Sequence, residues 1–176
     1  SPSGDVVAMG NWSGDKSFSL WDVETGERIG SPVTTPSGVM DLAFSPDGKT
    51  LAMSTKSALQ DPEFFLWDLE TREFVGAGEG AHDGFIKTLT FSPDGRLLAS
   101  GDGAKRIVFW NVASLEPIGP PIVAGKFLIG FENGVHSLAF SPDGRMLASA
   151  RVTTGGGNEG GESIAVWDVS NPEADC

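Results

Sequence analysis

Hydrophobic positions in this chain come in short runs, among them Val39 to Phe44, Phe64 to Leu69 and Ile164 to Trp167, each bounded by Gly, Pro, Asp or Ser. None repeats at helical spacing over the length of a helix. The runs are rich in Val, Ile, Leu, Phe and Trp, side chains that suit a pleated surface, so strands joined by turns are predicted throughout. Some runs are apolar at every position. Leu42-Ala43-Phe44 and Phe65-Leu66-Trp67 present apolar side chains to both faces of their strand, which a sheet tolerates only between two neighbouring layers.

The punctuation returns at intervals. Ser45-Pro46-Asp47-Gly48, Ser92-Pro93-Asp94-Gly95 and Ser141-Pro142-Asp143-Gly144 share one tetrapeptide, and Ser1-Pro2-Ser3-Gly4 is a degenerate fourth copy. Each is followed by a second mark, Trp21-Asp22, Trp67-Asp68, Trp110-Asn111 and Trp167-Asp168, at a period of 43 to 57 residues. Self-similarity of this kind marks a repeat architecture. Four strands are predicted per repeat: a (Val39 to Phe44), b (Thr50 to Ser54), c (Phe64 to Leu69) and d (Glu73 to Gly76). Their connections are too short for crossover helices, so each repeat is an antiparallel meander.

The order Ser-Pro-Asp-Gly, then Leu-Ala-Ser, then an aliphatic strand ending in Trp-Asp resembles the WD-repeat β-propeller family over nearly the whole chain. The resemblance implies an all-β fold, a propeller of four-stranded antiparallel blades stacked radially, here as a partial ring. Two blades are expected complete and two incomplete, in segments of about 1–37, 38–84, 85–133 and 134–176. The first holds strands b, c and d, and the last strands a, b and c. Such a segment is expected to expose apolar blade faces and strand edges, and to belong to a longer chain or an incomplete ring.

Loop lengths separate the two rims of such a ring. The strand-a Phe and strand-b Leu are seven residues apart every time (Phe44 to Leu51, Phe91 to Leu98, Phe140 to Leu147), and the Trp and strand-d aliphatic eight (Trp21 to Ile29, Trp67 to Val75, Trp110 to Ile118). The b–c spans from strand-b Ala to Trp run 13, 15, 11 and 19, and the d–a spans 10, 11 and 17. In an up-and-down meander the a–b and c–d turns share one rim, so all the variation falls on the other. Loops that contact a partner differ from blade to blade on a rigid scaffold, which marks the b–c/d–a rim as the expected binding face; loops that merely tolerate insertion are the alternative.

In many family members partners touch the residue before the first strand-a aliphatic, the one after it, and the one before the b–c Asp. Carried over, these are Gly38, Phe85 and Gly134; Met40, Lys87 and His136; and Gly14 and Gln60. Phe85 and Met40 would offer apolar contact, and Lys87 would select acidic groups. Trp12 is either an exposed aromatic contact or packed on a neighbouring blade. Phe127, within the apolar hexad Lys126 to Phe131, is either an interface anchor or part of a strand-d extension.

The family also carries a polar brace in each blade, a His, a strand-b Ser or Thr, a b–c Asp and the strand-c Trp, whose role is stability. Here His82, Ser100 and Trp110 stand in one blade, with Ala104 at the Asp position and Asp102 two residues off. Asp61 and Trp67 stand in another, beside Thr35 and Met53. Asp15 and Trp21 remain in the first, with Met9 in place of the Ser, and Ser149 and Trp167 in the last, with Phe131 and Gly161 at the other two positions. No blade is complete at the expected positions, so cohesion is expected to rest on apolar packing between sheets.

Composition narrows the function classes. With 24 acidic against 12 basic residues and a net charge of −12, no basic stripe is available for a phosphate backbone, so nucleic acid is not an expected partner. No apolar run is long enough to span a bilayer as a helix, and no membrane partner is expected. A single cysteine, Cys176, excludes an intramolecular disulfide framework. His82 and His136 fall on different blades with no ligand spacing, the serines lie mostly in turns, and the glycine patterns at Gly119 to Lys126 and Gly155 to Gly161 precede no helix, so no metal, cofactor or catalytic site is expected. The expected function is a non-catalytic interaction scaffold for protein or peptide partners. The alternatives are a sensory or regulatory propeller in a larger enzyme (kinase, signalling ATPase or peptidase), and self-association of two segments into one ring. The chain opens without an initiator Met, its true start is expected upstream, and a cytoplasmic location is the expectation.

Overall fold

A computed structural model describes residues 1–56, 64–124, 134–151 and 164–170. Among these residues every regular element is a strand. β1 (Val6–Gly10), β2 (Ser17–Asp22) and β3 (Val33–Thr34) form a first sheet in that order. β4 (Val39–Phe44), β5 (Thr50–Thr55), β6 (Phe64–Asp68) and β7 (Glu73–Gly78) form the second, and β8 (Ile86–Phe91), β9 (Leu97–Asp102), β10 (Arg106–Asn111) and β11 (Pro117–Val123) the third. β12 (Val135–Phe140), β13 (Met146–Arg151) and β14 (Ile164–Asp168) form the fourth. All pairings are antiparallel between consecutive strands. β4 packs on β8 and β8 on β12, so the sheets follow one another around an arc that does not close. This is the partial propeller that the repeats imply.

The doubly apolar runs are explained by the gaps between sheets. Leu66 and Phe64 of β6 face forward, onto Ile86, Leu89, Phe91, Leu98 and Trp110 of the third sheet. Trp67 of the same strand faces back, with Leu51 and Met53, onto Phe18 of the first sheet. The third sheet repeats the arrangement, laying Ala99, Ile107 and Phe109 against Val135, Leu138, Leu147 and Trp167. Each buried Val, Leu, Ile, Phe or Met side chain among them contributes roughly 1.5–3 kcal/mol. Two faces lack a neighbour. Val7 and Met9 of β1 and Ile164 and Val166 of β14 are exposed, as expected of an open arc.

Strand d of the first sheet is interrupted just past the expected Ile29. Trp21 meets Arg28 in an isolated bridge, the Ile29 N–H donates to Leu20 O at 2.8 Å, the chain then leaves the sheet, and pairing resumes at Val33–Thr34 opposite Phe18 and Ser17. Gly30, at φ 75°, and Pro32, which has no N–H to give, break the ladder between them.

Candidate functional site

The constant rim is built from two kinds of turn, and both lock onto the neighbouring sheet. In each Ser-Pro-Asp-Gly turn the Ser hydroxyl donates to the Asp carboxylate (Ser45, Ser92 and Ser141 to Asp47, Asp94 and Asp143, all 2.6 Å) and accepts the N–H that opens the next strand (Thr50, Leu97 and Met146, all 2.9 Å). The hydroxyl bond and the backbone N–H of Lys49, Arg96 or Arg145 hold these three carboxyls below the usual carboxylate range. Ser1 imitates the turn with Asp5, two residues later in the repeat. The glycines at φ 71–73° accept the proline of the preceding sheet: a Cβ on Gly48, Gly95 or Gly144 would stand 3.8, 3.5 or 3.5 Å from Cδ of Pro2, Pro46 or Pro93.

The second turn uses the repeated Trp-Asp. Asp22 and Asp68 each accept the N–H of the Thr three residues on, at 2.7 Å, which lowers their pKa. Asn111 does the same for Ser114 at 3.1 Å, so an amide replaces the carboxylate there without loss of the turn. The residue after this cap is left-handed in each: Gly26, Arg72 and Leu115, at φ 68°, 57° and 60°. Left-handed backbone costs a non-glycine residue about 1–2 kcal/mol. Arg72 and Leu115 have a compensating contact, since their side chains fill the hollows over Gly30 and Gly76 of the preceding sheet.

On the variable rim the carried-over positions share one geometry. Each first strand has a bulge, between Val39 and Asp41, Ile86 and Thr88, and Val135 and Ser137, so Met40, Lys87 and His136 are the extra, unpaired residues. A bulge re-aims the side chain it carries. Lys87 Nζ lies 3.3 Å from His136 Nε2, its stem passing over Gly103, where a Cβ would come within 3.3 Å of Lys87 Cε. Met40 is half-buried, while His136 is exposed and Phe85 is 46% exposed. Gly38 and Gly134 do not offer side chains: they admit the backbone of Trp12 and of Gly103 from the preceding sheet. The Trp12 ring is 61% exposed, with Lys56 Nζ 5.3 Å from its centroid. Gly14 is a left-handed turn residue with open space around it. Gln60, Asp61 and Phe127 lie outside the described residues, as do Phe131 and Gly161.

The brace needs a correction. The third sheet holds a complete one: Trp110 Nε1–H donates to Ser100 Oγ (2.7 Å), the Ser100 hydroxyl to His82 Nε2 (2.6 Å), and His82 Nδ1–H to Asp102 Oδ2 (2.9 Å), with the tautomer assigned from this network. Asp102 Oδ1 then accepts the N–H groups of Ala104 and Arg106, both at 2.8 Å. The Asp works from the end of β9 because the b–c turn is tight, with Lys105 at φ 71°. In the fourth sheet Trp167 Nε1–H donates to Ser149 Oγ at 2.9 Å. In the first, the buried Trp21 Nε1 has no partner, as expected where Met9 replaces the Ser, and Asp15 is exposed, offering only its carbonyl to Ser17. Thr35 turns its hydroxyl to Ser37 O at 2.7 Å.

Sequence reasoning did not single out Lys56, or Asp41, whose Oδ2 accepts the Leu89 N–H of the next sheet at 2.7 Å. Burial pushes the Asp41 carboxyl up, against hydrogen bonds from Leu89, Leu42 and Thr88. Among the described residues no cluster of His, Cys, Asp and Glu could hold a metal, and no helix is long and apolar enough to cross a membrane.

The family model described as "WD domain, G-beta repeat" matches residues 29–68, 77–111 and 125–168. Among curated proteins, the chain is 40% identical over 53 residues to Periodic tryptophan protein 2 homolog of Schizosaccharomyces pombe, which covers 30% of the chain and 6% of that protein. It is 32% identical over 95 residues to mouse WD repeat and SOCS box-containing protein 1 (54% of the chain, 22% of that protein). With WD repeat-containing protein slp1 of S. pombe it shares 29% identity over 122 residues (69% of the chain, 25% of that protein). The chain thus spans a quarter or less of the length of these relatives.

Proposed function

The chain belongs to the WD-repeat family, and from that premise we propose that it is a non-catalytic interaction module that captures protein or peptide partners on its b–c/d–a rim. WD-repeat propellers generally mediate protein–protein interaction, and the finer assignment of a face is the proposal. The observation that carries it is the division of labour between rims. Turns of fixed length are spent on interlocking neighbouring sheets through Pro46 and Gly95 or Leu115 and Gly76, whereas loops of varying length carry exposed aromatic and basic side chains. Rim aromatics with a desolvated perimeter are the usual anchors of such interfaces.

The test is quantitative affinity capture from cell extract on the wild-type chain, on Phe85→Ala and Lys87→Ala, and on Lys49→Ala and Arg96→Ala from the constant rim. Partners lost with the first pair and retained with the second support the assignment. Equal loss with both pairs, in proteins whose circular dichroism is unchanged, refutes it. A second reading is favoured by how little of each relative the chain covers: the module is one part of a larger protein, and a fused enzyme would make it a regulatory rather than a free-standing scaffold propeller.

A further inference from the structure

We infer that the partner bound at the mouth between the third and fourth sheets is an acidic peptide segment, a side-chain carboxylate docking on Lys87 and His136 with an apolar neighbour on Phe85. The inference rests on the rim assignment above and adds the chemistry of the ligand.

It starts from how the chain's cations are partnered. On the constant rim Arg96 lies 4.0 Å from Asp94, and Lys49 and Arg145 sit in the fields of Asp47 and Asp143 in their own turns. Arg106 is paired with Asp83. Other cations are spent differently: Lys16 donates to Pro36 O and Lys56 lies over the Trp12 ring. Lys87 is set apart by its neighbour: its ammonium is placed against an imidazole, 3.3 Å from His136 Nε2, and no described carboxylate forms an ion pair with either. One hydrogen bond to His136 leaves two of the ammonium's three donors unused.

The position is also prepared in advance. Two bulges, one on β8 and one on β12, bring the unpaired residues of adjacent sheets together, and the absence of a side chain at Gly103 lets the Lys87 stem lie down and be half-buried. A lysine held this way has given up much of its rotamer freedom before any ligand arrives, which is the general route to affinity without extra contact area. Phe85, two residues earlier in the chain and 46% exposed, supplies an apolar surface on the same rim. Trp12 with Lys56 repeats the combination of exposed aromatic and cation two interfaces away, so an extended acidic segment has a second point to touch.

The experiment selects random phage-displayed peptides on the immobilised chain, then measures the enriched peptides by fluorescence anisotropy. Enrichment of Asp or Glu beside aromatic or aliphatic residues is expected, with binding weakened by added salt. Lys87→Met, which retains the stem over Gly103 and deletes the charge, is expected to lower affinity about tenfold or more, as loss of a charged hydrogen-bonding partner does. Lys87→Glu should invert the preference towards Lys- and Arg-bearing peptides, and Arg96→Ala should change nothing. Peptides that depend on Phe85 yet lack acidic residues, or that ignore Lys87→Met and Lys87→Glu, overturn the inference and leave the rim assignment standing. Peptides sensitive only to Lys49→Ala or Arg96→Ala, or no enrichment at all, overturn both.

Discussion

Replacing Asp102 by Ala should destabilise the chain far more than any change at an exposed acidic residue. The substitution removes the acceptor of three donors: the His82 ring N–H, wholly buried, and the half-buried N–H groups of Ala104 and Arg106. A buried donor left without a partner costs about 1–3 kcal/mol, and water can reach the two backbone groups, so the sum is roughly 2–4 kcal/mol. Asp15→Ala, which breaks no described side-chain bond, should stay within about 0.5 kcal/mol. With a urea slope of about 1–3 kcal/mol per molar, the Asp102→Ala midpoint should fall by roughly 1–2 M. Asp102→Asn is the informative intermediate. Its amide oxygen can keep the Ala104 and Arg106 bonds, while its NH2 faces His82 and forces the other tautomer. Ser100 Oγ then accepts from both His82 and Trp110 and turns its own hydrogen to Val108 O, 3.4 Å away. The expected cost is about 1 kcal/mol, one ordinary hydrogen bond. Urea unfolding followed by Trp fluorescence measures all three, and equal midpoints for Asp102→Ala and Asp15→Ala would refute the brace as described.

Two further outcomes follow from the geometry. Gly101→Ala should cost about 1–3 kcal/mol, because its Cβ would sit 2.5 Å from Val135 Cγ1 and 2.8 Å from Val135 Cβ on the next sheet; thermal melting of the variant checks this. Acid should weaken the fold in a specific window. Asp47, Asp94 and Asp143 have folded pKa values below the unfolded one, so their contribution is present above the ordinary carboxylate value near 3.8 and lost as pH falls through the lower folded value. Asp41, raised by burial, acts in the opposite sense, its contribution being lost as pH rises through its folded pKa. Urea midpoints between pH 3 and pH 5 should therefore rise less steeply in the combined Asp47→Asn, Asp94→Asn, Asp143→Asn variant than in wild type, and more steeply in Asp41→Asn.

Much of the fold was legible because its signals are local. Turn tetrapeptides and doubly apolar strands fix where a meander reverses and that it is covered on both sides, and the predicted strands lie within a residue or two of β4 to β7. What escaped depends on geometry that spacing alone does not carry. Family spacing puts the Asp of the brace at position 104, whereas a tight turn lets a carboxyl at position 102 reach the same ring; the pair Asp102-Gly103, an acid at a strand end followed by a turn glycine, is the available signal. The interruption at Gly30 was hidden by an aliphatic at the right interval, Ile29. Juxtapositions such as Lys87 with His136, 49 residues apart, follow from stacking of whole sheets.

The prolines seated on the next sheet's glycines have a consequence for how such a chain melts. Each sheet covers part of its successor, so losing one strips a neighbour, and transitions in this arc should be communal rather than piecemeal, as in other linear arrays. The opposite edge is tied as well, where Gly38 and Gly134 admit the backbone of Trp12 and Gly103, so the loops there can change in length only beyond those seats. Novelty can accumulate past the fastenings while solidarity is maintained by them.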